Sequence, residues 1–173
     1  PRTIRVGDVP DELQVVEGDL WVTCKGKPSY APSGATKGKF VKIDLATGRV
    51  SGDLQFEAAS PVVNLGNSAI SGTNLYYTIG TAVYKFDLTA EPLSEAPPLT
   101  LPETPLFDVS AQNISSIYGF AVHNGRIYVS NAFGFNVAGK VYIYNSGETG
   151  SSVGTLLNTT TVGVGPSAFY FNF

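Results

Sequence analysis

GDLWVT at residues 18–23 reads as a glycine turn followed by a β-strand, and the same pattern returns as GTNLYYT at 72–78 and as GRIYVS at 125–130. A second strand pattern follows each copy: KFVKIDL at 39–45, AVYKFDL at 82–88 and KVYIYN at 140–145. From Trp21 to Tyr76 is 55 residues, and from Tyr76 to Tyr128 is 52. A repeat of this length made of short strands is a unit that buries its faces only by stacking on copies of itself.

Each unit is predicted to contain four strands. The first strand is expected at 13–16, 68–70 and 120–122, and the fourth at 50–56, near 99–101 and near 155–162. Asn124-Gly125 is the clearest hairpin signal, and Asp44 and Asp87 are expected to cap the turns that follow the third strand. No helix of three turns is predicted, so the fold class is all-β. Four-stranded units with aromatic and glycine punctuation predict a β-propeller.

The domain organisation follows from the repeat. We expect a single partial propeller over residues 1–173, with three blades at about 4–56, 62–101 and 116–162 and a closing strand at 163–173. Residues 4–10 are predicted to end an outer strand that leads into the first blade. The same pattern, the end of an outer strand that leads into a first strand, returns at 162–166. The strand that follows, within 163–173, is expected to complete a blade whose other strands lie elsewhere in the ring.

Composition limits the classes of function. The 173 residues include 19 Gly and 11 Pro, only 14% are charged, and the net charge is −3. No stretch gathers Lys or Arg into a basic stripe, so nucleic-acid binding is not expected. The single Cys24 excludes an intrachain disulfide, and no apolar run reaches the roughly 18 residues of a membrane-spanning helix. Because the chain lacks Met, we expect a mature or trimmed product.

Several short motifs together resemble a known family. They are Val6-Gly7-x-x-Pro10, Leu20-Trp21-Val22-Thr23-Cys24, Lys42-Ile43-Asp44-x-Ala46-Thr47-Gly48, Leu75-Tyr76-Tyr77, Val83-Tyr84-Lys85, Ile127-Tyr128-Val129-Ser130 and Val164-Gly165-Pro166-x-x-Phe169-Tyr170-Phe171. In order and spacing the chain resembles the YncE-like, YVTN-repeat β-propeller proteins of the Bacteroidetes cell surface. The resemblance runs over essentially the whole chain.

The resemblance implies a larger parent protein. Members of the family are usually seven-bladed rings, so this chain would be the three C-terminal blades plus the closing strand. The two open blade faces would then be covered by the missing N-terminal blades or by a second copy of the chain. Some members are lipid-anchored on the outer surface, bind cobalamin and pass it to a TonB-dependent transporter, and others lie beside glycan-uptake machinery. We therefore expect a cell-surface or periplasmic, outer-membrane-associated location, with a lipid anchor on the missing N-terminal part.

Catalysis, cofactors and metals are not expected. The only histidine, His123, lies in a hairpin turn and is interpreted as structural or merely exposed. Without a second histidine, no Ser/His/Asp or Cys/His arrangement can be assembled elsewhere in the chain. A hydrolase or lyase would need catalytic residues in the missing blades. Asp8, Asp11 and Glu12 are close in sequence, but their spacing fits no calcium loop, so we expect no metal site.

Long connections favour a binding site on one face of the blades. The connection 79–81 is minimal, whereas the stretches 25–38, 102–118 and 131–139 are long, and all three are expected to open on the same face. The candidate ligand-binding residues are Lys25, Tyr30, Asp108, Tyr118, Asn131, Phe133 and Phe135. Phe133 and Phe135 are interpreted as an aromatic platform for a flat or ring-shaped ligand. The alternative is that these aromatic rings form a small core beneath their own loop.

Two functions remain open at this point. The first is a non-catalytic surface module that captures a small molecule, cobalamin or a glycan. The second is a protein-interaction scaffold in a cell-envelope complex. A ligand site requires a concave, partly apolar pocket ringed by Lys25, Tyr30, Asp108, Phe133 and Phe135, whereas a docking face would be flatter and broader.

Overall fold

The computed structural model describes residues 3–89, 99–148, 150 and 152–172. Within these ranges the chain forms strands and two short 3-10 helices, with no α-helix. The strands are β1 Pro10–Val16, β2 Asp19–Cys24, β3 Lys39–Asp44, β4 Arg49–Gln55, β5 Ser68–Ser71, β6 Asn74–Ile79, β7 Ala82–Asp87, β8 Leu99–Thr100, β9 Phe107–Asp108, β10 Gly119–His123, β11 Arg126–Asn131, β12 Lys140–Asn145 and β13 Leu156–Thr161. None of the described helices is long and apolar enough to cross a membrane.

The chain divides into two compact units. One comprises Pro1–Gly66 and Phe86–Glu103, and the other comprises Asn67–Lys85 and Thr104–Phe173. The first sheet, β1-β2-β3-β4-β8, lies in the first unit, and the third sheet, β10-β11-β12-β13, lies in the second unit. The second sheet, β5-β6-β7-β9, also lies in the second unit, except for the last two residues of β7. The predicted first, second and third strands of all three repeats are confirmed to within a few residues.

The turns after the third strand repeat the same chemistry. Asp44 Oδ1 accepts hydrogen bonds from the backbone N–H groups of Ala46 and Thr47, at 2.7 and 2.9 Å. Asp87 Oδ1 accepts one from the N–H of Thr89 at 2.9 Å, which confirms both predicted turn caps. In the third sheet Asn145 takes the same place, because its Oδ1 accepts from the N–H of Gly147 at 2.8 Å.

A second repeated bond joins a residue near the end of each second strand to the start of the first strand or to the segment just before it. Gly119 N–H donates to Ser130 Oγ at 2.8 Å, and Asn67 N–H donates to Thr78 Oγ1 at 2.9 Å. In the first sheet Gly7 N–H donates to Cys24 Sγ at 3.1 Å. The thiol therefore replaces a hydroxyl as acceptor, and its burial raises the pKa of Cys24.

The core of the second unit joins its two sheets. The buried members are Tyr76, Val83, Val109, Ile114, Ile117, Ile127, Val129, Tyr142 and Tyr144. Burying one large apolar side chain contributes roughly 1.5–3 kcal/mol, so the cluster is the main source of cohesion in this unit. Two tyrosine hydroxyls of the cluster are hydrogen-bonded. The Tyr76 hydroxyl donates to Glu148 Oε1 at 2.7 Å, and the Tyr144 hydroxyl donates to Gln112 Oε1 at 2.9 Å. Burial raises the pKa of both phenols.

The first unit has its own core, formed by Val22, Cys24, Val41 and Ile43. Ile4 and Val6 pack against it, so the segment before β1 covers one face of this sheet. No strand is assigned to residues 4–9, which corrects the prediction of an outer strand there. The side chains of Ile4 and Val6 cover apolar surface on the sheet, while the carbonyls of Asp8 and Val9 accept hydrogen bonds from Gly26 and Lys25 N–H just beyond β2.

The prediction for the fourth strand of the second repeat was wrong. The predicted strand near 99–101 is β8, and it pairs in parallel with the outer strand of the first sheet, Leu54 opposite Leu99. The fourth strand of the second sheet is instead β9, which pairs antiparallel with β7. The second repeat therefore extends to Asp108, beyond the predicted limit of 101. Parallel pairing across a long connection leaves no local sequence signal, which explains the error.

The predicted closing strand does not form within residues 163–172, and Phe173 lies outside the described residues. The segment packs on the third sheet instead. The ring of Phe171 stacks on His123 with the centroids 4.3 Å apart, and it lies 5.0 Å from the Tyr128 ring. Phe169 also contacts Tyr128, at 5.7 Å. Aromatic contact with the sheet takes the place of strand pairing here.

Candidate functional site

A cavity of about 260 Å³ lies in the second unit, beside the connection between β11 and β12. A short 3-10 helix, Phe133–Phe135, forms one side of it, and the end of the connection before β10 forms the other. The lining residues are Ser115, Ser116, Tyr118, Asn131, Ala132, Phe133, Gly134 and Phe135. Four of the seven predicted ligand-binding residues are therefore brought together: Tyr118, Asn131, Phe133 and Phe135.

Three successive residues of this loop have left-handed backbone conformations. The φ angles are 46° at Phe133, 71° at Gly134 and 66° at Phe135. Glycine adopts such angles freely, but they are costly for bulky aromatic residues, by about 1–3 kcal/mol each. Such a conformation persists only where the surrounding structure holds it.

Asn131 is the main residue that holds the loop. Its side chain is buried, its Oδ1 accepts from Phe133 N–H at 2.9 Å, and its Nδ2 donates to Asn113 O at 3.5 Å. Phe135 N–H also donates to Ala132 O at 2.9 Å. Asn131 therefore shapes the cavity, and its amide is already engaged in hydrogen bonds within the protein.

The two predicted platform aromatics have different environments. Phe135 is 55% exposed and meets Tyr118, itself 39% exposed, edge to face with the centroids 5.0 Å apart and the planes at 83°. Phe133 is half-buried, and Lys140 Nζ lies 5.9 Å from the centroid of its ring. Because the rings of Phe135 and Tyr118 are nearly perpendicular, these two do not form a single flat surface. Phe135 and Tyr118 present aromatic surface to solvent, while Phe133 is partly a packing residue.

The lining carries no charge. All eight lining residues are described, and none of them is acidic, basic or histidine. The polar side chains among them are those of Ser115, Ser116, Tyr118 and Asn131. A hydroxyl can both donate and accept a hydrogen bond, so the two exposed serines leave neutral polar groups at the rim.

Asp108 does not line the cavity. It lies on β9, where its Oδ2 accepts from Thr81 Oγ1 at 2.9 Å and its Oδ1 accepts from Ser110 N–H at 2.7 Å. Hydrogen bonds from Ser110 and Thr81 lower the pKa of Asp108. The carboxylate therefore stabilises the start of the 3-10 helix Ser110–Gln112, within a connection that was predicted to be a loop.

Lys25 and Tyr30 belong to the first unit, and neither lines the cavity. Lys25 forms an ion pair with Asp11, and Lys27 lies 3.4 Å from Asp8. Tyr30 is 87% exposed. Of the five residues expected to ring one pocket, Phe133 and Phe135 line this cavity. Two of the three carboxylates that are close in sequence near β1 pair with lysines.

Half of the lining residues are not among those predicted from the sequence. Ser115, Ser116, Ala132 and Gly134 were not predicted as site residues. Gly134 lies between two selected phenylalanines, and its place in an aromatic-Gly-aromatic stretch was the one available signal. Nothing local distinguishes the two serines from other serines in turns.

A second cavity, of about 510 Å³, lies in the first unit. It is lined by Gln55, Phe56, Glu57, Ala58, Ala59 and Thr100, none of which was predicted as a site residue. Its lining has one aromatic ring, one carboxylate, one amide and one hydroxyl. The cavity beside β11 is the stronger candidate because it brings together three aromatic rings and four of the residues predicted from the sequence.

Comparison with known proteins supports the fold. No family model matches the chain, and no curated protein matches it. Among solved structures, the computationally designed Ika4 protein has a TM-score of 0.56 at 11% identity, over 99% of this chain and 85% of that chain. The computationally designed Ika8 protein has a TM-score of 0.55 at 10% identity, over 95% of this chain and 40% of that chain. BamB from Moraxella catarrhalis has a TM-score of 0.48 at 13% identity, over 95% of this chain and 39% of that chain.

The chain thus spans about two fifths of the length of Ika8 and of BamB. The designed neighbours are propellers, and the three repeated sheets of this chain have the same architecture. The protein is all-β and belongs to the β-propeller class, as the repeat predicted. The resemblance to YncE-like surface proteins stays a prediction.

Proposed function

We propose that this chain is part of a non-catalytic ligand-binding propeller, and that its binding site is the cavity bounded by Tyr118 and Phe135. The observation that carries the proposal is the exposed ring of Phe135, which lies on a loop held in left-handed conformations and contacts the partly exposed ring of Tyr118. Strain at bulky residues is concentrated at functional sites, where it fixes side chains in the orientation that binding needs. A loop that served only to connect two strands would not need it.

The family resemblance suggests two kinds of ligand, cobalamin and nutrients such as glycans. The protein would bind the ligand at the cell surface or in the periplasm and pass it to a TonB-dependent transporter. Pockets for drug-sized molecules measure about 300–1,000 Å³, and cobalamin is larger than such molecules. A cavity of about 260 Å³ would therefore seat only one edge of cobalamin, but would take most of a single small ring.

Titration of the chain tests the proposal. Cobalamins, neutral oligosaccharides and nucleosides are added to the wild-type chain and to Phe135→Ala, with binding followed by calorimetry and by thermal shift. Saturable binding that the substitution weakens supports the proposal. Absence of binding across the panel, with the protein folded, contradicts it.

A second candidate is a protein-interaction scaffold in a cell-envelope complex. Leu13 and Val15 favour it, since they point to the same side of β1 and are 63% and 65% exposed. Exposed apolar side chains on a strand are typical of a protein interface. A Leu13→Ser/Val15→Ser variant should then lose a partner that the wild-type chain retains from envelope extract, while binding of small ligands is unchanged.

A further inference from the structure

Taking the cavity as the binding site proposed above, we propose that it recognises one neutral sugar ring of a glycan, stacked against Phe135 and Tyr118 and hydrogen-bonded by Ser115 and Ser116. The charge, the size and the surface chemistry of the lining all favour such a ligand.

The absence of charge in the lining argues against ionic ligands. A phosphate or carboxylate entering the cavity would lose hydration without meeting an opposite charge among the eight lining residues. The nearby Lys140 is not one of them, and its Nζ lies over the Phe133 ring. A neutral ligand avoids the cost of taking an unpaired charge out of water.

The size of the cavity limits what can enter it. A volume of about 260 Å³ is just below the range for drug-sized ligands, so one ring fits and a chain of rings does not. The exposed position of Phe135 leaves room for the rest of a longer molecule to continue into solvent. A single unit of an oligosaccharide meets both conditions.

The surface chemistry matches a sugar better than a flat apolar ring. The face of an aromatic ring is electronegative, and it attracts the slightly positive C–H groups on one side of a sugar. The edge of the same sugar carries hydroxyl groups, which can pair with the serine hydroxyls at the rim. An apolar aromatic ligand would stack equally well but would leave Ser115 and Ser116 unused.

The fixed conformation of the loop reduces the entropic cost of binding. Because Asn131 and the left-handed backbone hold the 133–135 segment, less order has to be gained when a ligand stacks on it. One stacked ring gives weak affinity, so a dissociation constant near the millimolar range is expected for a single site.

The test is ligand-observed NMR with neutral glucose, mannose, galactose and N-acetylglucosamine oligosaccharides. Glucuronate oligosaccharides, adenosine and cobalamin serve as comparison ligands. Phe135→Ala should weaken sugar binding about tenfold, whereas Tyr170→Ala, at an equally aromatic but 92% exposed position away from the lining, should leave it within about twofold. Phe135→Leu keeps apolar volume without a ring face and replaces the alanine variant if that one does not fold. The double variant Ser115→Ala/Ser116→Ala should weaken the binding of the sugars and leave the binding of the comparison ligands unchanged.

The outcomes separate the two proposals. Sugar binding that depends on Phe135 and on the serines supports the inference. Binding of adenosine or cobalamin that depends on Phe135, with no sugar bound, overturns the inference and leaves the ligand-binding function standing. Binding that Phe135→Ala does not weaken, or no binding at all, overturns both.

Discussion

Two connections in the second unit occupy the same place in the repeat and differ in almost every other respect. Between β6 and β7 only Gly80 and Thr81 intervene, and Gly80 has the positive φ of 60° that a tight turn needs. Between β11 and β12 the chain runs from Ala132 to Gly139 and includes the strained aromatic loop. Both strand pairs are antiparallel neighbours. Strand pairing therefore does not require the longer connection, and the extra residues build the cavity.

The largest effect, on ligand binding, is expected when the long connection between β11 and β12 is replaced by a short one like that between β6 and β7. Replacing residues 132–138 by Gly-Thr, with Gly139 kept for its bond to Gly163, should abolish ligand binding because most of the cavity wall is lost. The far-UV circular dichroism of the strands should be retained. Calorimetric titration and circular dichroism of the same samples check the prediction. Ligand binding at wild-type strength would mean that the connection is not the site.

A Val→Ala substitution in the core and one in the loop compare how much each region contributes to stability. Val129 in β11 is fully buried in the shared core, and Val137 in the loop is exposed. Val129→Ala should lower the free energy of unfolding by about 2 kcal/mol because it leaves a cavity in the core, whereas Val137→Ala should change it by less than about 0.5 kcal/mol. Urea denaturation measures both values. Equal losses at the two positions would contradict the separation.

A smaller effect is expected at the bond that anchors the start of β10. Ser130→Ala leaves the buried N–H of Gly119 without its side-chain acceptor, so the free energy of unfolding should fall by about 1–2 kcal/mol. Cys24→Ser is the matched control in the first sheet, since a serine hydroxyl can still accept from Gly7. Thermal and urea unfolding of the two variants compare them. A Cys24→Ser variant as unstable as Ser130→Ala would argue against the hydrogen bond as the cause.

The smallest effect is a pH dependence at Asp108, next to the short connection. Its pKa in the folded chain lies below the ordinary 3.8, so its carboxylate contributes stability that is fully present above about pH 4. That contribution is lost as the pH falls through the lower folded-state value. Asp108→Asn should therefore reduce the acid-dependent loss of stability, measured by urea denaturation between pH 5 and pH 2. An unchanged pH profile would contradict the assignment.

The repeat predicted the strands well because their signals are local. Period-two alternation and turn residues such as Asp44 and Asn124 act over a few residues, so the first three strands of each unit follow from the chain itself. The fourth strand of the second repeat was misplaced because its partner is chosen by a contact between distant residues. For the same reason four of the predicted site residues share a cavity, while Asp108 stabilises a helix start and Lys25 pairs with Asp11.

The sequence by itself determined the all-β class, the threefold repetition and the position of the aromatic loop, because these depend on periodicity and on glycine and asparagine at turns. Only the tertiary structure decided which side chains meet. It placed Ser115 and Ser116 in the lining of the same cavity as Phe135, left Tyr118 partly exposed and used Asn131 to hold the loop. Convergence of this kind depends on packing between segments far apart in the chain, and no local pattern of residues encodes it.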